Sequence, residues 1–118
     1  ESVCTVDRLR VPLLLKNLEG REDLISRPLE ALADHDREKG TGYCETLYWY
    51  LACGRSLKKT CEMLFTHRNT VLYRIRRMQS DFGLPLDDPA CHAELLLGVS
   101  VLLFRDRGPD FFLILFPD

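Results

Sequence analysis

The chain has 118 residues, of which 46% are hydrophobic and 29% are charged, and its net charge is −2. This composition is typical of a single soluble domain with a hydrophobic core. The longest apolar runs, "ELLLGVSVLLF" and "FFLILF", are too short to cross a bilayer, and the first residues lack a signal-peptide pattern, so we expect a cytoplasmic protein without a membrane partner.

The N-terminal third of the chain predicts two helices. "VDRLRVPLLLKNLEG" is typical of a short helix that ends near Gly20, with Pro12 limiting how early it begins. "REDLISRPLEALADHDREKG" predicts a second helical region. Pro28 suits its first turn and Gly40 ends it.

The segment "TGYCETLYWYLACG" predicts a third helix between Thr41, a candidate N-cap, and Gly54. Leu47, Tyr50 and Leu51 recur at helical spacing, which indicates a buried stripe. We therefore interpret the aromatic cluster "YWY" as core and not as a platform for stacking bases.

Two further helices follow with a short break between them. Ser56 is the predicted cap of "LKKTCEML", which has an apolar face and a basic face. The three residues "FTH" interrupt the helical pattern, and Thr66 is able to cap the next helix. That helix is expected from about residue 67 to residue 81, before Gly83 and Pro85 end it.

"LDDPACHAELLLGVSVLLFRDRG" predicts a last helix with Asp88 as its cap, Pro89 in its first position and Gly108 at its end. It is apolar nearly all round from Leu95 to Phe104, so we expect it to be central or buried by a partner. The terminal "PDFFLILFPD" is strand-like in propensity. The predicted fold class is all-α, a small helical bundle that contains a helix-turn-helix and ends in a short strand-like tail.

The charge is distributed unevenly along the chain. Residues 55–77 hold seven basic residues and one acidic residue, a net charge of +6, whereas the remainder holds nine basic and seventeen acidic residues, a net charge of −8. Attraction to phosphates depends on the local potential. The segment is therefore a candidate nucleic-acid contact within an acidic chain.

The helix predicted after the break is amphipathic. On a helical wheel with about 100° per residue, Ile75, Met78 and Phe82 lie within roughly 40° of Val71 and form a core face. A short helix, a tight turn and a second helix with a cationic outer face form a helix-turn-helix, whose second helix fits the major groove of DNA. The outer face holds Asn69, Thr70, Tyr73, Arg76 and Arg77.

The residue types on this outer face suit contacts with double-stranded DNA. Asn69 suits base edges or phosphates, and arginine forks onto a guanine or holds a phosphate. Thr70 and Tyr73 suit phosphates or a thymine methyl group, and lysines on the first helix suit phosphates. The candidate DNA-binding residues are Lys58, Lys59, His67, Arg68, Asn69, Thr70, Tyr73, Arg74, Arg76 and Arg77.

Structural roles stay open for several of these side chains. The arginines of "YRIRR" have no acidic residue one turn earlier, which favours an anionic partner over a merely solvated face. Arg68 lies near the core side of the wheel, where an ion pair with Glu62 and a DNA contact are equally good interpretations. His67 also suits a cap or a packing role, and Tyr73 also suits half-burial.

Enzyme and metal-binding functions find little support. The five cysteines, at positions 4, 44, 53, 61 and 91, form no CxxC pair, so we expect free and mostly buried thiols instead of a zinc site. The sequence offers no nucleophile and base at credible spacing and no phosphate-binding loop, so we expect no enzyme, cofactor or metal. A helical module that docks RNA or an acidic protein on the same basic face stays open. An RNA reader usually adds exposed aromatic residues near the basic face or a GxxG loop, and we expect neither here.

The stretch from "TLYWYL" through "SLKKTCEMLFTHRNTVLYRIRRMQSDFGLPLDDP" to "ELLLGVSVLL" resembles the C-terminal helix-turn-helix domain of PucR/CdaR-type bacterial transcriptional regulators. The likeness covers roughly residues 20–104. Cys61, where Ala is usual, and Leu72, where many members have a basic or polar residue, depart from the pattern. By resemblance, the shared DNA-contacting residues are His67, Arg68, Asn69, Thr70, Tyr73 and Arg74.

The resemblance implies a sequence-specific DNA-binding domain of a longer regulator, in which an upstream region binds a small-molecule effector and the protein controls a catabolic operon. We interpret residues 1–20 as the end of that upstream region or a lead-in helix, residues 21–108 as the DNA-binding domain and residues 109–118 as an apolar tail. Because one helix-turn-helix makes few base contacts, we expect a homodimer paired through the last helix, the tail or both. The alternative for the tail is that it packs within its own chain, for example against the N-terminal "SVCTV".

Overall fold

The computed structural model describes the backbone of residues 11–114 and the side chains of residues 11–113. Expectations that fall on residues 1–10 and 115–118 lie outside the described residues. Every regular element in the described range is helical, which confirms the all-α prediction, and none is long and apolar enough to span a membrane. The elements are α1 (residues 11–17), a 3₁₀ turn (Glu22–Leu24), α2 (Arg27–Lys39), α3 (Tyr43–Ala52), α4 (Leu57–Leu64), α5 (Arg68–Asp81), a second 3₁₀ turn (Pro89–Cys91), α6 (His92–Arg107) and α7 (Asp110–Ile114).

The junction between α2 and α3 differs from the prediction. Gly42, and not Thr41, occupies the N-cap position of α3. The backbone N–H groups of Tyr43 and Cys44 donate to the carboxylate of Asp36 at 2.8 and 2.9 Å. The Thr41 hydroxyl donates to the same carboxylate. A carboxylate at a helix N-terminus also offsets the positive end of the helix dipole, so Asp36 both caps α3 and ties it to α2.

The centre of the bundle is α3, which packs against α2, α4, α5 and α6. Leu47 and Leu51 are fully buried, and Tyr48 and Trp49 are buried beside them. The interpretation of "YWY" as core is therefore confirmed, with Tyr50 half-buried at its end. Because α3 packs against α4 and α5 on one side and against α2 and α6 as well, it fixes the positions of α4 and α5 relative to the rest of the domain.

The last long helix, α6, is central, as its apolar surface predicts. Leu95 and the run from Gly98 to Phe104 are buried, and α6 packs against α2, α3 and α7. Asp88 caps the 3₁₀ turn by accepting the N–H of Ala90 at 2.9 Å, so Pro89 begins that turn and not α6 itself. Gly108 ends α6 as predicted.

The described part of the apolar tail is helical, so the strand-like expectation is wrong for residues 110–114. Phe111 and Phe112 are both buried. Neighbouring residues of a strand point to opposite faces, whereas in α7 both rings pack edge-to-face on Tyr48, each 5.6 Å away between ring centroids. The tail thus folds back onto its own domain through these two rings.

The cysteines of the described range are free, as expected. The expectation that they are mostly buried is wrong, since Cys44 is buried but Cys53, Cys61 and Cys91 lie near helix ends or outer faces and are half-buried. Burial raises the pKa of the Cys44 thiol far above its ordinary value, so this thiol stays protonated and unreactive at neutral pH. The described residues also contain no group of three or more side chains that could hold a metal ion.

Candidate nucleic-acid interface

The helix-turn-helix is formed by α4, the three residues 65–67 and α5, as predicted. Ser56 caps α4, since its Oγ accepts the N–H of Lys59 at 3.2 Å. Phe65 ends α4 in the left-handed conformation, with φ 51° and ψ 45°. A left-handed residue at a helix end reverses the chain direction, which brings α5 across α4.

The cap of α5 is His67 and not Thr66. The Nδ1 atom of His67 accepts the N–H of Asn69 at 3.1 Å. Thr66 lies one residue too early, and its hydroxyl donates instead to the carbonyl oxygen of Leu64 at 2.9 Å. The structure therefore gives His67 the capping role that the sequence left open, while the rest of its imidazole stays exposed.

The inner face of α5 matches the helical wheel. Val71 and Met78 are completely buried, and Ile75 is 5% exposed. Phe82 is half-buried and packs edge-to-face on His35 and Tyr43, with ring centroids 5.5 and 6.2 Å away. The helix α5 packs against α3 and α4, and Phe82 adds contacts to α2 and α3 at its C-terminal end, so its outer face has a fixed orientation.

The outer face of α5 is open to solvent. Tyr73 is 55% exposed, and Arg76 and Arg77 are exposed, as predicted. The first turn of α5 and the two lysines of α4 are also exposed. Of the ten candidate DNA-binding residues, the exposed ones are Lys58, Lys59, His67, Arg68, Asn69, Thr70, Tyr73, Arg76 and Arg77.

Arg74 is the remaining candidate, and it turns towards the protein. It is half-buried, and its Nη1 donates to the hydroxyl of Thr46 on α3 at 3.0 Å. Thr46 is fully buried and donates its own proton to the carbonyl oxygen of Gly42 at 2.8 Å. In the described structure Arg74 therefore links α5 to the start of α3.

Arg77 has an acidic partner, contrary to the expectation of unpaired arginines. The partner is Asp81, which lies one turn later in α5. The expectation rested on the absence of an acidic residue one turn earlier. The hydrogen bond to Asp81 raises the pKa of the Arg77 guanidinium, so it remains charged. Arg77 also donates to the hydroxyl of Tyr73 at 3.0 Å. Tyr73, Arg77 and Asp81 thus form a chain of contacts along the outer face.

Arg68 is exposed at the start of α5. It lines an open hollow of about 520 Å³ together with Glu62 and three other residues of α4. No ion pair joins Arg68 to Glu62 among the described side chains, although both lie at this hollow. A bound phosphate would therefore find the Arg68 guanidinium accessible.

Sequence reasoning missed two residues at this surface, Phe65 and Asp81. Phe65 is 95% exposed and Tyr73 is 55% exposed, so the expectation of no exposed aromatic residue near the basic face is wrong. The signal that could have found Phe65 is a large apolar side chain inside a three-residue turn between two capped helices. Asp81 could have been found by counting four residues forward from Arg77. Of the predicted residues, Lys58 and Arg68 line the same hollow between α4 and α5.

The geometry defines a class of protein. A helix-turn-helix whose second helix is anchored on one side and presents cationic and amide side chains on the other is a DNA-binding domain of the kind found in transcriptional regulators. The chain belongs to the family of the PucR C-terminal helix-turn-helix domain, whose family model matches residues 43–101. It is therefore a regulator domain and not an enzyme.

Two curated relatives from Bacillus subtilis (strain 168) are similar to the chain. The "Purine catabolism regulatory protein" is 32% identical over 93 residues, which is 77% of this chain and 17% of the relative. The "Proline-responsive transcriptional activator PutR" is 26% identical over 98 residues, which is 80% of this chain and 24% of the relative. The chain thus spans less than a quarter of the length of each. No solved structure gives a significant match.

Proposed function

We propose that this chain is the sequence-specific DNA-binding domain of a bacterial transcriptional regulator, with α5 as the recognition helix in the major groove. The observation that supports this most strongly is the division of α5 into a buried face and an exposed face. Val71 and Met78 are fully buried, while Asn69 and Arg76 are exposed on the other side of the same helix. A groove about 12 Å wide admits one helix in this orientation.

The exposed side chains divide into two roles. Asn69 and Thr70, in the first turn of α5, read base edges, because the N-terminal residues of a recognition helix reach the bases. The cations surround them and hold phosphates, which gives affinity but no sequence information. The phosphate-holding residues are Lys58, Lys59, Arg68, Arg76 and Arg77, with His67 and Tyr73 at the edge of the surface.

The remainder of the regulator supplies the signal. The relatives are named for purine catabolism and for a response to proline, and by analogy this regulator acts in the cytoplasm on a catabolic operon. A region upstream of residues 1–20 binds a small-molecule effector, and residues 21–108 bind DNA. No cofactor or metal takes part.

The regulator binds DNA as a homodimer. Phe111 and Phe112 are buried within the domain, so the described part of the tail contributes no apolar pairing surface. The last long helix does, because Leu97 of α6 is 42% exposed and Leu14 of α1 is 56% exposed. Both line a shallow apolar groove of about 550 Å³ between α1 and α6. A second copy of the chain covers this groove.

The proposal is tested by selecting duplexes from a random library with the 118-residue chain and then titrating salt. We expect an enriched sequence motif, and an affinity that falls steeply as salt rises. Binding to every duplex with equal affinity would contradict sequence-specific recognition. Tighter binding to a matched RNA, or to an acidic protein with the same basic face, would favour a docking module instead.

A further inference from the structure

One side chain at the DNA-facing surface has no role in the fold. Phe65 is 95% exposed, and the other exposed large apolar residues of the described range are all less exposed. It forms no part of the hydrophobic core or of the apolar residues packed against it. Solvation of an aromatic ring is unfavourable, so this phenylalanine does not stabilise the domain through burial.

The backbone conformation of Phe65 is a second feature that destabilises the folded domain. Its φ of 51° and ψ of 45° lie in the left-handed region, which a residue with a Cβ adopts only against steric resistance. Glycine or asparagine is the usual residue where a helix ends in this way. A glycine would therefore relieve the backbone and remove the exposed ring. A residue that is strained and exposed without stabilising the fold is a candidate for a role in binding.

The position of the ring suggests its contact. Phe65 is the first residue of the turn and lies three residues before Arg68, the first residue of α5. The exposed residues that follow it, from His67 to Thr70, form the end of the helix that is directed towards the bases. The apolar group that the major groove offers at base edges is the 5-methyl group of thymine, and phenylalanine is a residue type that contacts it.

We propose that Phe65 is a specificity-determining residue whose ring contacts the 5-methyl group of a thymine at the edge of each half-site. The inference rests on the proposed function, since it requires α5 to lie in the major groove. It goes beyond that function because it assigns base discrimination to a residue of the turn. The exposed ring is then buried on binding, which offsets the cost of holding it in water.

The test uses the duplex selected with the 118-residue chain. Each thymine is replaced in turn by deoxyuridine, which removes one methyl group and keeps base pairing. We expect about a fourfold loss of affinity at one thymine per half-site, the factor that corresponds to one buried methyl group. Phe65→Gly should lose affinity for the thymine duplex and should bind the thymine and uracil duplexes equally.

Stability separates this role from a structural one. Phe65→Gly and Phe65→Asn should melt no lower than the unmodified chain, because both residues suit a left-handed helix end. Arg55→Gly is the matched stability control, since Arg55 is the other non-glycine residue with positive φ in the described range, at 65°. Met63→Ala, which removes an exposed apolar side chain from α4, is the binding control and should keep the uracil effect.

Two outcomes would contradict the inference. If Phe65→Gly keeps both the affinity and the fourfold uracil effect, the ring does not contact thymine. If it melts lower and loses binding to all duplexes equally, the ring is structural. Failure of the unmodified chain to select any motif would instead overturn the proposed function.

Discussion

The Nη1 atom of Arg74 donates a hydrogen bond of 3.0 Å to the hydroxyl of Thr46, and this contact fastens α5 to α3, the central helix of the domain. Arg74 lies in a strongly cationic segment, and nothing in the local sequence distinguishes it from Arg76, the arginine two residues later. The tertiary structure gives them different environments. Arg74 is half-buried against the fully buried Thr46, whereas Arg76 is exposed.

We expect Arg74→Ala to lower the free energy of unfolding by about 1–2 kcal/mol, since it leaves a buried hydroxyl without its donor. Arg76→Ala is the matched control and should change it by less than about 0.5 kcal/mol, as exposed substitutions usually do. Urea denaturation of both variants measures the difference. Equal stability of the two would show that the contact with Thr46 contributes nothing.

Arg77 should hold a phosphate in the complex, although in the free domain it pairs with Asp81. We expect Arg77→Ala to reduce the slope of log affinity against log salt by about one unit, the value for one lost phosphate contact. Lys58→Ala, which removes an exposed cation from α4, should give the same reduction. Asp81→Asn should bind random duplexes more tightly, because it removes a negative charge and frees Arg77. An unchanged slope for Arg77→Ala would mean that the pair with Asp81 persists on DNA.

Asn69 should read a base. We expect Asn69→Ala to cost about 1–3 kcal/mol of binding free energy on the selected duplex and much less on random DNA, because a bidentate amide contact discriminates between bases. Fluorescence anisotropy with both duplexes measures this ratio. Equal losses on the two duplexes would assign Asn69 to phosphate positioning.

Gly98 should tolerate no larger side chain. A Cβ at this position would lie 2.8 Å from Cδ1 of Leu29 and 2.9 Å from the carbonyl oxygen of Leu24. Alanine normally stabilises a helix relative to glycine, but here we expect Gly98→Ala to lower the free energy of unfolding by about 1–3 kcal/mol through overpacking. Glu94→Ala, an exposed change in the same helix, is the control. A stabilised Gly98→Ala variant would contradict this close packing of α6.

The homodimer should depend on the groove between α1 and α6. We expect Leu14→Lys and Leu97→Lys to convert a dimer into a monomer in sedimentation experiments, because each places a charge in the apolar groove. Leu13→Lys is the matched control, since Leu13 is 65% exposed on the same helix as Leu14 but does not line the groove. Removal of the tail would be a poor test, because it takes Phe112 out of the core. A chain that is monomeric before substitution would leave pairing to another region of the regulator.

The sequence by itself determined the helix-turn-helix. The spacing of Val71, Ile75 and Met78 defined the buried face of α5, and helix boundaries followed from Ser56, Gly40 and Gly108, since these signals act over one or two turns of chain. The break at residues 65–67 and the cationic outer face were predicted for the same reason. Local periodicity and local charge are properties that a sequence carries directly.

The tertiary structure alone decided which residues meet across the chain. Asp36 caps α3 from the preceding helix, Arg74 bonds to Thr46, and the tail forms a helix against Tyr48. In each case a partner on another helix supplies the favourable interaction. That interaction overrides the local capping signal at Thr41, the outward position predicted for Arg74 and the strand propensity of the tail. The exposure of Phe65 and its left-handed backbone were likewise decided by the tertiary structure, because a large apolar residue in a short turn is a local signal that does not tell whether the ring is buried or exposed.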